Sequence, residues 1–294
     1  MASTTIQKVW KNGAVRFSSI VLGILILIAL AARFLGTVDP SAMDGGVMNA
    51  APGHAGEFTL LDGSSVQHKF WMGADSFGRD IWSRVIYGTR ISLIVGVTVS
   101  VCAIALGTLI GLLAGYIRWL DGIVMRVMDG LMAIPGILLA ITLVAVWKAS
   151  LITVIAAIVI PEIPRVTRLV RSLVLSIREE PYVEAAVSLG TPTWKILWRH
   201  ILPNAIAPLI VQATYVCASA ILLEAILSFL GVGLPPEIPT WGNIMAEGRV
   251  QFNQYPHNVF FPGIFLGLTV LAVNLLGDGL RDTLDPKFNK RGVT

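Results

Sequence analysis

Residues 184–204 read EAAVSLGTPTWKILWRHILPN, a structured polar stretch between two long apolar segments. Gly190 can adopt the left-handed backbone conformation that ends a helix, and Thr191 can cap the helix that follows it. Glu180-Pro181 is a second helix start, because proline at the first helical position has no N–H to lose. The stretch therefore predicts two short helices with a sharp turn at Gly190-Thr191.

The apolar residues of these two short helices repeat at helical spacing. In the first helix, Tyr182, Ala186 and Leu189 fall on one face. The second carries Trp194 and Trp198 together with basic residues, which is typical of a helix lying on lipid headgroups. The same amphipathic pair could instead dock into a cytoplasmic partner and transmit force to the membrane helices. Periodicity alone leaves both interpretations open.

The composition of the chain excludes an ordinary soluble protein. Of its 294 residues, 55% are hydrophobic and 14% charged, and the mean hydropathy is +0.75. A typical soluble domain is about 25% charged, so the main solvent of this chain must be a lipid bilayer. The net charge of +4 does not indicate nucleic acid as a partner, because the basic residues are dispersed between apolar segments. Cys102 and Cys217 lie within apolar runs, and no metal site is predicted.

Six apolar segments are long enough to cross a bilayer, which takes about 20 helical residues. Their continuous length excludes the alternating strands of a membrane barrel. The predicted fold is therefore an all-α integral membrane protein with a cytoplasmic loop between helices four and five. The predicted spans are residues 18–38, 88–116, 124–147, 149–172, 205–230 and 258–280.

The distribution of Lys and Arg predicts the orientation. With both termini in the cytoplasm, 15 of the 22 basic residues fall inside and seven outside. The N-terminal apolar run is interpreted as an uncleaved first span rather than a secretory signal, because five similar runs follow it. The predicted division is a cytoplasmic segment 1–17, the first span 18–38, an extracytoplasmic loop 39–87, a core 88–280 with the cytoplasmic loop 178–204 and the outer loop 231–257, and a cytoplasmic tail 281–294.

A resemblance to a known family strengthens the docking interpretation. Glu184-Ala185-Ala186, a glycine at 190 and the ending Ile201-Leu202-Pro203 resemble the EAA loop of ABC importer permeases, although His200 stands where that pattern has isoleucine. Three more stretches resemble the peptide branch of the family: GADSFGRDIWSRVIYGTRISL (73–93), SFLGVGLPPEIPTWGNIM (228–245) and LLGDGLRDTLDPK (275–287). Together with the six spans they cover nearly the whole chain, which resembles the second permease subunit of a dipeptide, oligopeptide or nickel importer.

The resemblance implies a heteromeric machine in a bacterial inner membrane. Its other parts would be a second permease subunit, two ATPase subunits and an extracytoplasmic substrate-binding protein, and its solutes di- or oligopeptides. The chain has no G-x-x-x-x-G-K-[ST] phosphate loop, so ATP and Mg²⁺ are expected on the ATPase partners, and no catalytic residue is predicted. By the resemblance, the residues that couple to the ATPase are Glu184, Ala185, Ala186, Gly190, Thr191 and Pro203.

Polar residues inside the predicted spans need a reason, because each charge costs about 2.5–3.5 kcal/mol to insert. Asp129 lies three residues after Arg126, so either a helical ion pair or a pore position is possible. Glu162, between two prolines, either lines a cavity or pairs with a basic neighbour. Glu224 is the best pore candidate and should face the bundle interior or the companion permease. Asn274 is expected to join helices or, alternatively, to contact solute.

The outer loops contain a second set of candidates. Asp75 with Arg79 and Asp80 with Arg84 have the i, i+4 spacing of helical ion pairs. They are either a self-neutralising surface segment or an external gate or contact for the binding protein. Trp241 is a further gate candidate and is expected to anchor at the outer membrane interface.

Other functional classes remain as alternatives. An ATP-independent channel or secondary transporter would need ion-relay carboxylates at the membrane centre, and these spans offer few. An intramembrane enzyme would need paired catalytic groups or a zinc motif, neither of which the sequence has. A membrane scaffold would not need the outer motifs. The sequence does not distinguish dipeptide, oligopeptide, glutathione and nickel as solutes.

Overall fold

A computed structural model describes residues 10–284, so residues 1–9 and most of the predicted tail 281–294 lie outside the described part. Ten α-helices run through it, with one strand pair and short 3₁₀ turns between them. The helices are α1 Gly13–Leu30, α2 Ile81–Tyr116, α3 Arg118–Ala133, α4 Gly136–Trp147, α5 Leu151–Ile177, α6 Pro181–Ser188, α7 Thr193–Ile196, α8 Leu202–Phe229, α9 Trp241–Gly248 and α10 His257–Leu284.

The outer loop 39–87 is folded rather than extended. Strands β1 His54–Thr59 and β2 Ser65–Phe70 form an antiparallel hairpin in which His54 pairs with Phe70 and Thr59 with Ser65. Its inner side forms a small hydrophobic cluster of its own, made of Ala42, Val47, Phe58, Phe70 and Ala74.

Four helices of the described chain are long and apolar enough to span a membrane: α1, α2, the continuous stretch Thr193–Phe229, and α10. A fifth span is possible if α3 and α4, bent by 88° at their junction, count as one. Helix α5 has the length of a span at 27 residues, but its second half carries Arg165, Arg168 and Arg171. The protein is thus a multi-pass helical membrane protein.

The predicted third span, 124–147, is wrong as a single helix. Helix α3 ends at Ala133, Ile134 is extended (φ −92°, ψ 127°), and α4 begins only after Pro135. Proline lacks an N–H and disfavours helical backbone in the residue before it, which explains why the break falls there. The first span also lies earlier than predicted, at Gly13–Leu30, and the second begins at Ile81 rather than at 88.

The tightest packing in the fold joins α2 to α5. Three glycines of α2, one turn apart, each lie against a valine of α5. A Cβ on Gly107, Gly111 or Gly115 would come within 2.5–2.7 Å of the Cβ of Val166, Val170 or Val174, respectively. The missing side chains therefore let the two backbones approach closely, as small residues do between membrane helices.

Candidate functional site

The predicted turn at Gly190 is confirmed, with φ +74°. The N–H of Gly190 donates to the carbonyl of Val187 (2.9 Å), and that of Thr191 donates to the carbonyl of Ala186 (3.1 Å). These two bonds define a Schellman motif, which satisfies the free carbonyls at the end of α6. At the other end of α6, Pro181 occupies the first turn as predicted.

The predicted capping role of Thr191 is wrong. Pro192 occupies the N-cap position of α7, and no side chain forms a capping hydrogen bond with this helix. The reason is that Thr191 occupies the position after the left-handed glycine, where its backbone N–H serves the preceding helix. The chain then passes through a π-helical turn, Leu197–Ile201, in which Leu202 N–H donates to the carbonyl of Leu197. Pro203, in the first turn of α8, cannot supply a donor to this widened turn.

The segment 181–201, which we call the coupling segment, has a buried and an exposed apolar face. The three residues predicted to share one face of the first helix differ in burial. Ala186 is buried, whereas Tyr182 is exposed and Leu189, in the turn where the helix ends, is 85% exposed. The inward-facing residues are Val183, Ala186, Ile196, Leu197 and Ile201. The exposed apolar residues are Tyr182, Val187, Leu189, Trp194 and Trp198.

Hydrogen bonds brace the coupling segment against α8. The Asn204 side-chain amide donates to the Tyr182 hydroxyl (3.1 Å) and to the carbonyl of His200 (2.7 Å). Partial burial, together with the nearby charge of Glu180, raises the pKa of the Tyr182 hydroxyl above its usual value. Glu184 and Ala185 remain exposed on the outer side of α6. The coupling segment is therefore a packed pair of short helices that exposes apolar side chains on its outer face.

A cavity of about 370 Å³ lies at the break between α3 and α4. Glu162 lines it from α5, and its Oε1 accepts hydrogen bonds from Arg165 Nη1 (3.2 Å) and Ser219 Oγ (3.1 Å). Both interpretations of Glu162 thus hold, since it lines a cavity and pairs with a basic neighbour. Ser219, on α8, is a partner that the sequence reasoning missed.

Asp129 does not pair with Arg126, so that part of the prediction is wrong. Its carboxylate instead accepts a bond from Arg168 Nη2 on α5 (2.6 Å), and one turn further along α5 Arg171 contacts Asp121 (2.5 Å). The neighbouring helix offers the closer guanidinium because α3 packs alongside α5. Asp129 is not among the residues that line the cavity.

Glu224 is fully buried in the bundle interior, as one of its two predicted alternatives required. Its Oε1 accepts a bond from Ser228 Oγ (2.8 Å), and its Oε2 has no hydrogen-bond partner in the described residues. It does not line the cavity, so its role in a pore stays a prediction. Asn274 is half-buried on α10, and its role also stays a prediction.

The outer charges form a buried cluster rather than a surface segment. Asp75 and Arg79 pair as predicted (2.7 Å), but the Asp80–Arg84 pairing is wrong. Asp80 instead caps α2 by accepting from Ser83 N–H (2.9 Å), while Arg84 binds Glu247 of α9 (3.1 Å). The cluster is buried because α9 folds over it, which the prediction of a self-neutralising surface segment did not foresee.

Glu247 is the member of this cluster that sequence reasoning missed. It contacts both Arg79 and Arg84, although it lies more than 160 residues away in the sequence. Burial raises the pKa of its carboxyl, and the two arginines oppose that effect. No spacing rule connects residues so far apart, so the sequence holds no signal for this contact.

The predicted interface position of Trp241 is wrong. Its side chain is fully buried in a cluster with Met72, Ile81 and Val85, and its indole N–H donates to the carbonyl of Val85 (3.3 Å). The residue opens α9 and packs that helix against α2, which removes it from lipid.

Several known bacterial proteins are similar to this chain. Residues 107–290 match the family described as binding-protein-dependent transport system inner membrane component. A probable peptide ABC transporter permease of Sinorhizobium fredii is 52% identical over 82% of this chain and 84% of its own length. A dipeptide transport system permease of Alkalihalophilus pseudofirmus is 46% identical over 78% of this chain and 75% of its own length.

Two further similarities agree with these. A glutathione transport system permease of Pectobacterium atrosepticum is 46% identical over 78% of this chain and 76% of its own length. Among solved structures, the inward-facing methionine ABC transporter MetNI contains a chain of similar fold. It has a TM-score of 0.56 at 19% identity, and the match covers 68% of this chain and 95% of that one.

Proposed function

The chain belongs to the family of binding-protein-dependent transport system inner membrane components, and from this premise we propose that it is a permease subunit of a peptide ABC importer. The relatives described above are named for peptides, dipeptides and glutathione, which supports peptides as the solute class. Within the importer, this chain would form half of the path through the membrane beside a second permease subunit.

The observation that carries this proposal is the exposed apolar face of the coupling segment. Large side chains such as Leu189 and Trp194 are exposed on a segment whose other face is buried and which is hydrogen-bonded to α8 at Tyr182. An exposed apolar patch on an ordered segment is typical of a docking site for another protein. We propose that Glu184, Ala185 and Gly190 seat this patch in a groove on an ATPase subunit, while Ala186, which is buried, faces inward.

The remaining parts of the machine follow from that docking. ATP and Mg²⁺ would bind to two ATPase partners, and movement of the coupling segment would be carried through α5 and α8 to the membrane helices. We place six spans in the membrane, with α5 as the fourth and the broken α3–α4 pair as the third. Both termini would lie in the cytoplasm, as the excess of inside Lys and Arg favours.

The outer ion cluster has a different role in this proposal. Arg79, Arg84 and Glu247 tie the hairpin region to α9, so a force on the hairpin would reach the helices through buried ion pairs. We propose that this face receives the substrate-binding protein. Asp75 and Asp80 would then hold the face in shape rather than contact the binding protein, because both are buried.

Co-purification from native membranes tests the docking of the ATPase. Leu189→Arg puts a charge on the exposed face of the coupling segment. Leu61→Arg, in the exposed turn of the outer hairpin, is the matched control for ATPase docking, whatever its effect on the contact with the binding protein. The wild type and Leu61→Arg should bring down an ATPase and a second permease, and the complex should hydrolyse ATP. Leu189→Arg should lose the ATPase.

Gly190 provides a second test of the same site. A residue other than glycine is destabilised by about 1–2 kcal/mol in the left-handed region, and asparagine tolerates it better than valine. Gly190→Val should uncouple ATP hydrolysis from transport, whereas Gly190→Asn should keep the two coupled. If the chain purifies alone and all variants behave alike, the segment lies on lipid headgroups, and an ATP-independent channel becomes the better interpretation.

A further inference from the structure

The break between α3 and α4 exposes backbone groups next to the cavity. Ile134, Pro135, Gly136 and Ile137 all line it. Irregular backbone within a membrane protein is tolerated where it is buried in protein or lines a polar cavity. The N–H groups of Gly136 and Ile137 have no helical partner, whereas that of Leu138 donates to the carbonyl of Pro135 (2.9 Å), and Pro135 supplies no side-chain cap. This end of α4 is therefore a source of free donors and partial positive charge.

Helix α5 contributes one acid and one base to the wall of the cavity, Glu162 and Arg165. Glu162 is 4% exposed, and both of its hydrogen bonds use Oε1, which leaves Oε2 without a hydrogen-bond partner among residues 10–284. Arg165 contributes only Nη1 to that pair, and its side chain is 58% exposed. The cavity thus combines a carboxylate oxygen that can accept further hydrogen bonds with guanidinium and backbone N–H groups that can donate them.

The remaining walls and the size of the cavity restrict the class of molecule that can bind there. They are apolar, formed by residues such as Leu131, Leu222 and Ile226. A volume of about 370 Å³ lies within the range of sites for small molecules. A molecule with one positive end, one negative end and variable apolar side chains would match all of these features.

We propose that this cavity is the solute subsite of the chain and that it binds the two charged termini of a short peptide. The α-ammonium group binds Glu162 Oε2, which Ser219 and Arg165 hold in place through Oε1. The α-carboxylate binds the free nitrogens of Arg165 and the N–H groups at the start of α4. Side chains of the peptide lie against the apolar walls, which impose no sequence. This inference rests on the proposed function as a peptide permease.

Transport of end-blocked peptides tests the assignment. The full complex, with its ATPases and binding protein, is reconstituted in liposomes and offered radiolabelled Ala-Phe, its N-acetyl form and its C-terminal amide. Initial rates are measured over a range of concentrations, and the ratio of kcat/KM for free and blocked peptides is compared between variants. Glu162→Gln and Arg165→Gln each remove one charge, and Asp282→Asn, at an exposed position of α10 away from the cavity, is the control.

Each of the two charge-removing variants should lose the preference for only one free terminus of the peptide. Glu162→Gln should reduce the preference for the free amine over the N-acetyl form by about tenfold, the effect of losing one charge-assisted hydrogen bond. Arg165→Gln should reduce the preference for the free carboxylate over the amide by about the same factor. Ser219→Ala should act in the direction of Glu162→Gln but more weakly, and the control should keep both ratios.

The outcomes separate this inference from the function on which it rests. If the wild type transports Ala-Phe and the variants keep both ratios, the cavity is not the subsite, although the chain remains a peptide permease. If both variants change both ratios equally, they act on the shape of the path and the assignment of termini is wrong. A wild-type complex that hydrolyses ATP but transports no peptide overturns the solute class and this subsite together.

Discussion

Replacing Gly111 by alanine should push α2 and α5 apart. The new Cβ would lie 2.7 Å from the Thr167 carbonyl oxygen and 2.7 Å from Val170 Cβ. Carbon atoms in contact prefer about 3.5–4.0 Å, so the helices must separate by roughly 1 Å at this point. The carbonyl belongs to the backbone of α5, so no side-chain rotation can relieve the overlap.

The cost follows from two opposing effects. Forcing one extra carbon into a well-packed interface costs about 1–3 kcal/mol. Alanine is favoured over glycine within a helix by about 0.5–1 kcal/mol, which an open position gains in full. Gly122 on α3 is such a position, because a Cβ added there would have no other atom within 4 Å. Both variants gain this helix preference, so they should differ by the packing cost alone, about 1–3 kcal/mol.

The midpoint of thermal unfolding of the purified protein in detergent measures this difference. Gly111→Ala should unfold below the wild type, and Gly122→Ala at or slightly above it. Gly96→Ala adds a contrast, because the three atoms nearest to its Cβ belong to the side chains of Ile221 and Cys217, the nearest being Ile221 Cγ1 at 2.6 Å. Ile221→Ala should therefore rescue Gly96→Ala. Equal midpoints for Gly111→Ala and Gly122→Ala would refute the close approach of α2 and α5.

Three further predictions concern the outer face. Glu247→Gln leaves two buried arginines without their shared carboxylate and should cost about 3–5 kcal/mol in unfolding free energy. The exposed Glu237→Gln is the control, and equal unfolding midpoints for the two variants would contradict this prediction. Backbone hydrogen bonds lower the pKa of Asp44, so its stabilisation is present above its ordinary pKa of about 4 and is lost as pH falls below it. Asp44→Asn should flatten that acid sensitivity in limited proteolysis of the hairpin, and an unchanged profile counts against it. Thr240→Ala removes the side-chain cap of α9 and should lower unfolding free energy by about 1 kcal/mol, whereas no change in midpoint would show that the cap is dispensable.

Several features of the fold were predictable because they depend on residues close in the chain. Left-handed backbone at Gly190 follows from the missing Cβ, and a helix start at Pro181 from the missing N–H. The Asp75–Arg79 pair was predictable from a spacing of four residues, although it forms in the turn before α2 rather than within a helix. The apolar runs likewise predicted membrane helices without reference to any partner.

The candidate site was predictable only in part, for the same reason. Glu162 was identified because a charge in an apolar run needs an explanation, but its partner Ser219 lies 57 residues further along the chain. The cavity depends on the direction in which α4 leaves the break. Pro135 explains where the helix breaks, whereas the 88° angle follows from the packing of α4 against α5 and α8.

By itself, the sequence determined that lipid surrounds the protein, the approximate location of its long apolar helices and the turn of the coupling segment. These are set by composition and by backbone constraints that act within a few residues. Only the tertiary structure decided that Arg84 binds Glu247, that Trp241 is buried, and that Gly111 contacts Val170. Contacts of this kind join residues that are distant in the chain, and they form only where the packing of whole helices brings the two surfaces together.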